Sequence, residues 1–250
     1  MSADLAGARA CVLGGTRGIG RAISVELAAA GASVAAGYLS QEASARETAD
    51  QIERLGGRCV LLRGDVADDP SGLVDTAARE LGGLDAFISC AVAPVRRSIL
   101  ELTHEDWKRT MEINARPFVF GAIAAARHMV EGGRIVGISS TGTHKPRNLA
   151  YAPLALAKGA MEAGARFLAA ELAPRQITVN VVAPGPTDTE SFDAMAEDPR
   201  PLKDRLAGST PMGRLSEPED AARLVAFLCS PAAGWVTGQL IFSDGGFSLL

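Results

Sequence analysis

The sequence predicts an α/β fold, a doubly wound parallel sheet of about seven strands with helices on both faces. Two observations lead to this prediction. Short apolar segments recur along the chain and stay apolar at successive positions, as strands buried on both faces require. Longer helical patterns separate these segments, and three of them end at glycines suited to a left-handed C-cap, Gly31, Gly56 and Gly82.

The order of these elements predicts a single domain over residues 1–250. The predicted strands occupy 10–13, 33–36, 59–62, 86–89, 134–138, 178–182 and 240–242. The predicted helices occupy 21–30, 44–55, 71–81, 104–129 and 153–172, and a last one ends at Leu228. A proline-rich stretch, 184–218, follows the sixth strand. Long loops at this place commonly cover the ligand crevice, so we expect it to cover a substrate, the alternative being a surface excursion.

Composition excludes several classes of protein. The 250 residues are 47% hydrophobic with a net charge of −4, which excludes a disordered chain and disfavours nucleic-acid binding. No apolar run approaches the ~18 residues of a membrane span. The first residues lack a secretory signal pattern. The four cysteines and three histidines are scattered without metal-site spacing. We therefore expect a reduced, cytoplasmic protein that binds no metal, membrane or nucleic acid.

A glycine-rich turn joins the first predicted strand to the first predicted helix. It reads Gly14-Gly15-Thr16-Arg17-Gly18-Ile19-Gly20. Glycines at such a turn permit a tight bend and let backbone N–H groups approach a pyrophosphate at the helix N-terminus. This pattern predicts a Rossmann-type dinucleotide site, and the alternative is a glycine-rich turn without a ligand.

The segment after the second strand bears on which dinucleotide binds. An NAD site usually has an acidic residue there, but this chain reads Gly-Tyr-Leu-Ser from 37 to Ser40, with no carboxylate before Glu42. Arg17 can bring a positive charge to the same region, which favours a 2′-phosphate and hence NADP(H). Asp65-Val66 follows the third strand, where the aspartate can accept a hydrogen bond from adenine or simply form a turn.

With these motifs, the chain resembles the short-chain dehydrogenase/reductase superfamily along its whole length. The matching residues are the glycine loop, Asp65, Asn114, Ser139-Ser140, Lys158, the segment 180–185, Thr237-Gly238 and Asp244-Gly245-Gly246. Most members carry Tyr-x-x-x-Lys, but residue 154 here is leucine and Tyr151 lies seven before Lys158. This Tyr-x6-Lys spacing is similar to that of the NADPH-dependent type III enoyl-acyl-carrier-protein reductases. The segments 102–107, 112–115, 138–140, 158–162, 166–168 and 171–180 also resemble that family.

The resemblance implies a role for each of these positions. It makes Tyr151 and Lys158 the catalytic pair, with Lys158 also contacting the nicotinamide ribose. By the resemblance, Asn114 would hold a water molecule or stabilise a helix irregularity. Ser140 would lie beside the nicotinamide. Ala91 would pack on the adenosine ribose. The turn after the sixth strand would contact the carboxamide and phosphates through Pro184, Gly185, Thr187 and Thr189. The chain departs from the family at 89–92, Ser-Cys-Ala-Val in place of Asn-Asn-Ala-Gly, and at Leu13, which suggests a specialised branch.

The implied reaction is reduction of the 2,3-double bond of an acyl thioester. Negative charge develops on the thioester oxygen, and the Tyr151 hydroxyl can donate a hydrogen bond to it. Since Tyr38 belongs to the adenosine region, Tyr151 is the only plausible phenol, unless it is merely a surface aromatic. One alternative is a ketoreductase in which Tyr151 and Ser140 act on a carbonyl. Another is a non-catalytic NADP-binding protein, if Tyr151 points away from the nicotinamide.

Two further features concern partners. Basic residues gather on loops expected near the crevice, and they could meet an acyl carrier protein or a pantetheine phosphate, or form a solvated face. They are Arg96, Arg97, His144, Lys145 and Arg147. Small residues at 121–126 and 159–164 allow close helix approach. By the resemblance they would pair subunits into a homodimer or homotetramer, and the alternative is packing within one chain.

Overall fold

A computed structural model describes residues 3–93, 95–193 and 198–250. Seven parallel strands form one sheet in the order β3-β2-β1-β4-β5-β6-β7. The strands are β1 Arg9–Leu13, β2 Ser33–Tyr38, β3 Cys59–Arg63, β4 Ala86–Ser89, β5 Arg134–Ile138, β6 Thr178–Pro184 and β7 Leu240–Ser243. All seven predicted strands are present, and the predicted parallel sheet is confirmed.

Nine α-helices are found in the described part of the chain. They are α1 Gly18–Ala29, α2 Glu42–Arg54, α3 Pro70–Leu81, α4 His104–Asn114, α5 Arg116–His128, α6 Ala152–Leu172, α7 Glu190–Asp193, α8 Arg200–Gly208 and α9 Pro218–Cys229. None of the described helices is long and apolar enough to cross a membrane. The predicted C-cap glycines Gly31, Gly56 and Gly82 all have a positive φ, as a left-handed helix end requires.

Two predictions about helices were wrong. The segment 104–129 is not one helix, because it breaks at Ala115, between α4 and α5. Pro117 lies in the first turn of α5, where its missing N–H costs nothing, and this favours a new helix start over an unbroken helix. The stretch 184–218 is not wholly irregular either, since it holds α7 and α8, while residues 194–197 of it lie outside the described residues.

The core has one half on each side of the sheet. Apolar residues of α1, α2 and α9 pack on one face, and those of α3, α5 and α6 on the other. The small residues of α5 and α6 serve this packing within the chain. A Cβ atom on Gly121 would lie 2.5 Å from the ring of Phe87, and one on Gly164 would lie 3.3 Å from Val119. The strand order reverses between β1 and β4, which places a ligand crevice beyond the carboxyl ends of these strands.

Candidate active site

The glycine loop is packed so closely that side chains are excluded from it. A Cβ atom on Gly14 would lie 2.7 Å from the Cα atom of Ala91, which follows β4. A Cβ atom on Gly20 would lie 1.9 Å from the Gly14 carbonyl oxygen. The loop and Ala91 therefore form the floor of the crevice at the point where the strand order reverses.

The start of α1 offers backbone donors to an anion. Arg17 is the N-cap residue, and its side chain makes no capping hydrogen bond among the described residues. The loop below is fixed, because the buried Thr16 accepts at its carbonyl oxygen from Arg21 Nε at 3.2 Å and from Thr48 Oγ1 at 3.1 Å. Ile19 packs partly into the core. Helix N–H groups held this way suit a pyrophosphate, so the residues present fit a dinucleotide.

The turn after β6 lies against the glycine loop. A Cβ atom on Gly18 would lie 3.4 Å from Cγ2 of Thr189. The Thr189 hydroxyl accepts from the Phe192 N–H at 3.2 Å, and the Thr187 hydroxyl donates to the Gly185 carbonyl at 2.9 Å. Pro184 ends β6. These four predicted contacts of the carboxamide and phosphates thus share one side of the crevice.

At the adenosine end of the crevice, some predicted residues contact other protein groups. Arg17 forms an ion pair, since its Nε atom lies 3.2 Å from a carboxylate oxygen of Glu190 on α7. Ser40 is exposed just beyond β2. Asp65 accepts from the Ala67 N–H at 2.8 Å, which is the turn-forming role. Adenine recognition by Asp65 and Val66 stays a prediction.

Sequence reasoning missed a basic residue at this end. Arg63 is the last residue of β3 and pairs in register with Tyr38, the last of β2. Its charge acts on Glu42, whose pKa is lowered mainly by the hydrogen bond and charge of Arg46 and also by the charge of Arg63. Arg63 is exposed, so its charge is available at the end of β2. Only the pairing of β2 with β3 reveals it, because in sequence it lies 25 residues beyond Tyr38.

Lys158 lies inside the protein at the other end of the crevice. It is 4% exposed, and its Nζ atom donates to the Ile138 carbonyl at 2.7 Å, at the end of β5. Burial lowers the pKa of Lys158 to about 8, while the charges of Cys90 and Glu162 oppose that shift. Burial also raises the pKa of the nearby Cys90 thiol to about 11.

Asn114 ends α4 at the break that precedes α5. Its Nδ2 atom donates to the Thr110 carbonyl at 3.0 Å and to the Ala93 carbonyl at 3.2 Å. Its Oδ1 atom accepts from the Ala93 N–H at 3.3 Å. The buried amide therefore ties the helix irregularity to the segment after β4, which accords with one of the two roles that the resemblance implied.

Tyr151 is the N-cap residue of α6, and Lys158 lies on the same helix. Seven helical positions return to nearly the same side, about 10 Å further along the axis. The Tyr151 ring is half-buried, with the Arg96 guanidinium carbon 5.7 Å from its centroid. Leu154, one turn before Lys158, is 6% exposed and offers no polar group.

The two serines after β5 face different partners. Ser140 is half-buried, begins a short 3₁₀ turn and accepts from the Gly142 N–H at 3.2 Å. Ser139 is buried and donates to Glu162 Oε1 at 2.5 Å. The sequence predicted Ser140 for the site but assigned nothing to Ser139 or to Glu162.

Most of the predicted basic patch is engaged within the chain. Arg97 pairs with Asp106 at 3.2 Å, and His144 Nε2 lies 2.9 Å from Glu162. Lys145 and Arg147 donate to carbonyl oxygens of the last four residues, and Arg147 also stacks on the Phe247 ring. Arg96 lies over the Tyr151 ring and makes no hydrogen bond or ion pair within the described ranges. Arg96 is therefore the residue of this group whose charge is not engaged by another described acidic side chain or carbonyl.

Comparison with known proteins agrees with this geometry. Residues 14–248 match the family model described as enoyl-(acyl carrier protein) reductase. The hydroxynaphthalene reductase-like protein Arp2 of Metarhizium brunneum is 38% identical over 97% of this chain and 96% of its own. A short-chain dehydrogenase/reductase from Serratia marcescens superposes with a TM-score of 0.91 and 36% identity over 98% of this chain and 99% of its own.

Two further solved structures are similar. A short-chain dehydrogenase from Burkholderia cenocepacia in complex with NADP has a TM-score of 0.90 and 36% identity, covering 97% of this chain and 98% of its own. The reductase LugOII, which catalyses keto-reduction at C1 during lugdunomycin biosynthesis, has the same score and identity over 98% of this chain and 99% of its own. The sheet order, the glycine loop and these matches together show that the chain is an oxidoreductase of the short-chain dehydrogenase/reductase superfamily, a family that uses a nicotinamide cofactor.

Proposed function

We propose that the protein is an NADPH-dependent reductase of the 2,3-double bond of an enoyl thioester, carried by acyl carrier protein or coenzyme A. One observation carries the proposal. Tyr151, the only phenol at this end of the chain, begins α6 seven residues before the buried Lys158, while the apolar Leu154 occupies the position one turn before it.

The position of the phenol suits the charge that this reduction creates. In a ketone, negative charge forms on the oxygen bonded to the carbon that accepts hydride. In an enoyl thioester it forms on an oxygen three bonds away from the accepting β-carbon. A donor three residues earlier on the helix starts about 4.5 Å further from Lys158, in the direction that the longer substrate requires. A ketone oxygen one turn before Lys158 would meet Leu154, which has no hydrogen to donate.

Each residue of the site then has a defined task. Bound NADPH supplies the hydride. The Tyr151 hydroxyl donates a hydrogen bond to the thioester oxygen as it becomes an enolate. The Lys158 ammonium stabilises the same charge and would hold the ribose hydroxyls, and with a pKa of about 8 it is protonated at neutral pH. Asn114 holds the segment after β4 in place, and Ser140 lies beside the reacting end.

NADPH rather than NADH is supported by charge. Arg63 lies beside the last residue of β2, and the first carboxylate after that strand, Glu42, is already paired with Arg46. Arg17, at the N-cap of α1, adds a second positive charge to the cofactor half of the crevice. The similar Burkholderia protein was solved with NADP. The cradle that would hold the dinucleotide is the close contact of Gly14 with Ala91 and the uncapped start of α1.

Carbonyl reduction is a second candidate, and the names of the relatives favour it. LugOII performs a keto-reduction, and Arp2 is named for reduction of hydroxynaphthalenes. In that reaction Tyr151 would protonate the carbonyl oxygen with help from Ser140. A third candidate, a protein that binds NADP without catalysis, predicts no turnover of either substrate.

The test compares two thioesters that differ at the β-carbon. NADPH oxidation is followed with crotonyl and acetoacetyl thioesters, and we expect faster turnover of the crotonyl compound. Tyr151→Phe should lower that turnover about 10²- to 10³-fold, the usual loss for one donor to an oxyanion, with NADPH affinity unchanged. Tyr38→Phe, the other tyrosine, is the matched control and should keep full kcat at saturating NADPH, because Tyr38 belongs to the adenosine end of the crevice and not to the reacting end. Preference for acetoacetyl thioester, or full activity of Tyr151→Phe, would reject the assignment.

A further inference from the structure

Glu162 is a buried carboxylate that the proposed reaction does not use. It lies on α6, is 5% exposed, and accepts from Ser139 Oγ at 2.5 Å. On its other side, the Nε2 atom of His144 lies 2.9 Å from Oε2. Both carboxylate oxygens are therefore occupied, as burial of a charged group requires.

The two partners of Glu162 belong to the segment that leads to Tyr151. Ser139 directly follows β5, and its N–H donates to the Val182 carbonyl of β6 at 2.7 Å. His144 follows the 3₁₀ turn at 141–143, and its ring packs edge-on against Phe242 of β7, with centroids 5.4 Å apart. Glu162 thus holds the segment to α6 at two points before it reaches Tyr151.

Glu162 is also a neighbour of Lys158, one helical turn earlier. Among the described residues, two titratable groups act on Lys158 through their charge, Cys90 from the segment after β4 and Glu162 from its own helix. Cys90 is held neutral at neutral pH, because burial raises its thiol pKa to about 11. Glu162 is therefore the carboxylate whose charge favours the protonated form of Lys158.

We propose that Glu162 is a positioning residue, whose carboxylate fixes the segment 139–151 that carries Tyr151 and whose negative charge keeps Lys158 protonated in its buried place. The proposal rests on the proposed function for the role of Tyr151. It does not depend on which thioester is reduced, because Lys158 would meet the ribose of NADPH in either reaction.

Glu162→Gln tests the charge while keeping the size of the side chain and an oxygen that can accept from Ser139. Lys158 would bind NADPH as an ammonium. NADPH affinity should therefore be constant at low pH and fall as the pH rises through the pKa of Lys158. Without Glu162 that pKa falls further, so the fall in affinity should begin at least about half a pH unit lower. Titration of NADPH fluorescence from pH 6 to 10 measures it. Glu171→Gln, an exposed carboxylate of the same helix, should match the wild type.

Variants of the two partners test the positioning. Ser139→Ala leaves the charge in place, so we expect about a tenfold loss in kcat on the better thioester, little change in KM and no change in the pH dependence of NADPH binding. His144→Ala should behave in the same way, and His144→Gln, whose amide can still donate to Glu162, should recover most of the activity. Thermal unfolding of each variant confirms that the protein is folded.

The outcomes separate this proposal from the proposed function. If neither thioester is reduced but Glu162→Gln shifts the pH dependence of NADPH binding, the proposed function fails and the role of the charge stands. A folded Glu162→Gln variant with an unshifted pH dependence would overturn the charge role. If Glu162→Gln does not fold, Ser139→Ala and His144→Ala decide, because full kcat in both would overturn the positioning role.

Discussion

The two halves of the crevice recognise their ligands by different means. On the side of β1, recognition rests on backbone: the glycine loop touches Ala91 and leaves no room for a Cβ atom at Gly14 or Gly20. On the side of β5 and β6, the crevice is built from side chains held by other side chains, as Ser139 and His144 are held by Glu162. A pyrophosphate is the same in every dinucleotide, whereas the acyl part of a substrate varies.

This contrast explains where change is tolerated. A backbone cradle fails when any atom is added, because neighbouring main chain cannot move aside. A site made of side chains can exchange one donor for another at a different helical position, and under the proposed function Tyr151 with Leu154 would be such an exchange. We therefore expect the largest effects of small substitutions in the cofactor half and the largest changes in selectivity in the substrate half.

The first prediction concerns the cofactor half and has the largest expected effect. In Gly20→Ala, the new methyl group would lie 1.9 Å from the Gly14 carbonyl oxygen, so the loop must open. NADPH affinity should fall more than about 100-fold, because the N–H groups at the start of α1 are displaced from the pyrophosphate. Isothermal titration calorimetry measures it.

Gly208→Ala provides the control for this prediction. Gly208 ends α8, and a Cβ atom there would meet nothing within 4 Å. The variant should bind NADPH as the wild type does and gain up to about 1 kcal/mol in stability from the higher helix propensity of alanine. Equal NADPH affinity in the two variants would mean that the loop is not the pyrophosphate site.

The same contrast decides what could be predicted from sequence. The glycine loop of the cofactor half could be predicted because its glycines are close in sequence and the strand–turn–helix order fixes their geometry. The fold followed from apolar strands that alternate with helices. Arg63 was missed because it approaches Tyr38 only through the pairing of β2 with β3.

In the substrate half, the sequence could predict which residues belong to the site but not the contacts between them. Tyr151 and Lys158 could be named from their spacing, but the contacts of Glu162 with Ser139 and His144 join residues 18 to 23 positions apart. The contacts of the basic residues could not be predicted for the same reason, since Arg97, Lys145 and Arg147 find partners that no local pattern shows. The break at Ala115 had a local signal, Pro117, although the predicted helix ran through it.

The second prediction concerns selectivity in the substrate half. Leu154→Tyr places a phenol one turn before Lys158, where a ketone oxygen needs its donor. Reduction of acetoacetyl thioester relative to crotonyl thioester should rise at least about tenfold, which is below the roughly 10²- to 10⁴-fold effect of a well-positioned general acid. The larger ring in a buried position should cost about 1–3 kcal/mol of stability.

Leu154→Phe is the matched control, because it adds the ring without the hydroxyl. It should show the same loss of stability without the gain in ketone reduction. If the two variants had the same ratio of activities, the ring and not the donor would be responsible, and the argument that the phenol position selects the substrate would be wrong.

The last prediction has the smallest effect and concerns an ion pair that joins the two halves. Arg17 of the glycine loop lies 3.2 Å from Glu190 of α7, with the side chains 38% and 62% exposed. Exposed pairs of this kind contribute roughly 0.2–1 kcal/mol. A 2′-phosphate that binds Arg17 must compete with the carboxylate of Glu190 for the same guanidinium. Glu190→Gln should therefore tighten NADPH binding up to about fivefold and leave NADH binding unchanged.

The control for Glu190→Gln is Glu47→Gln, which neutralises the partner of Arg21 at 3.0 Å and leaves Arg17 untouched. That variant should bind both dinucleotides as the wild type does. Because the Arg17 pair is exposed, its effect should also shrink as salt rises toward about 1 M, where charges are screened beyond about 3 Å. Equal tightening of NADH in Glu190→Gln would show that Glu190 acts on the position of the loop after β6, and that Arg17 does not read the 2′-phosphate.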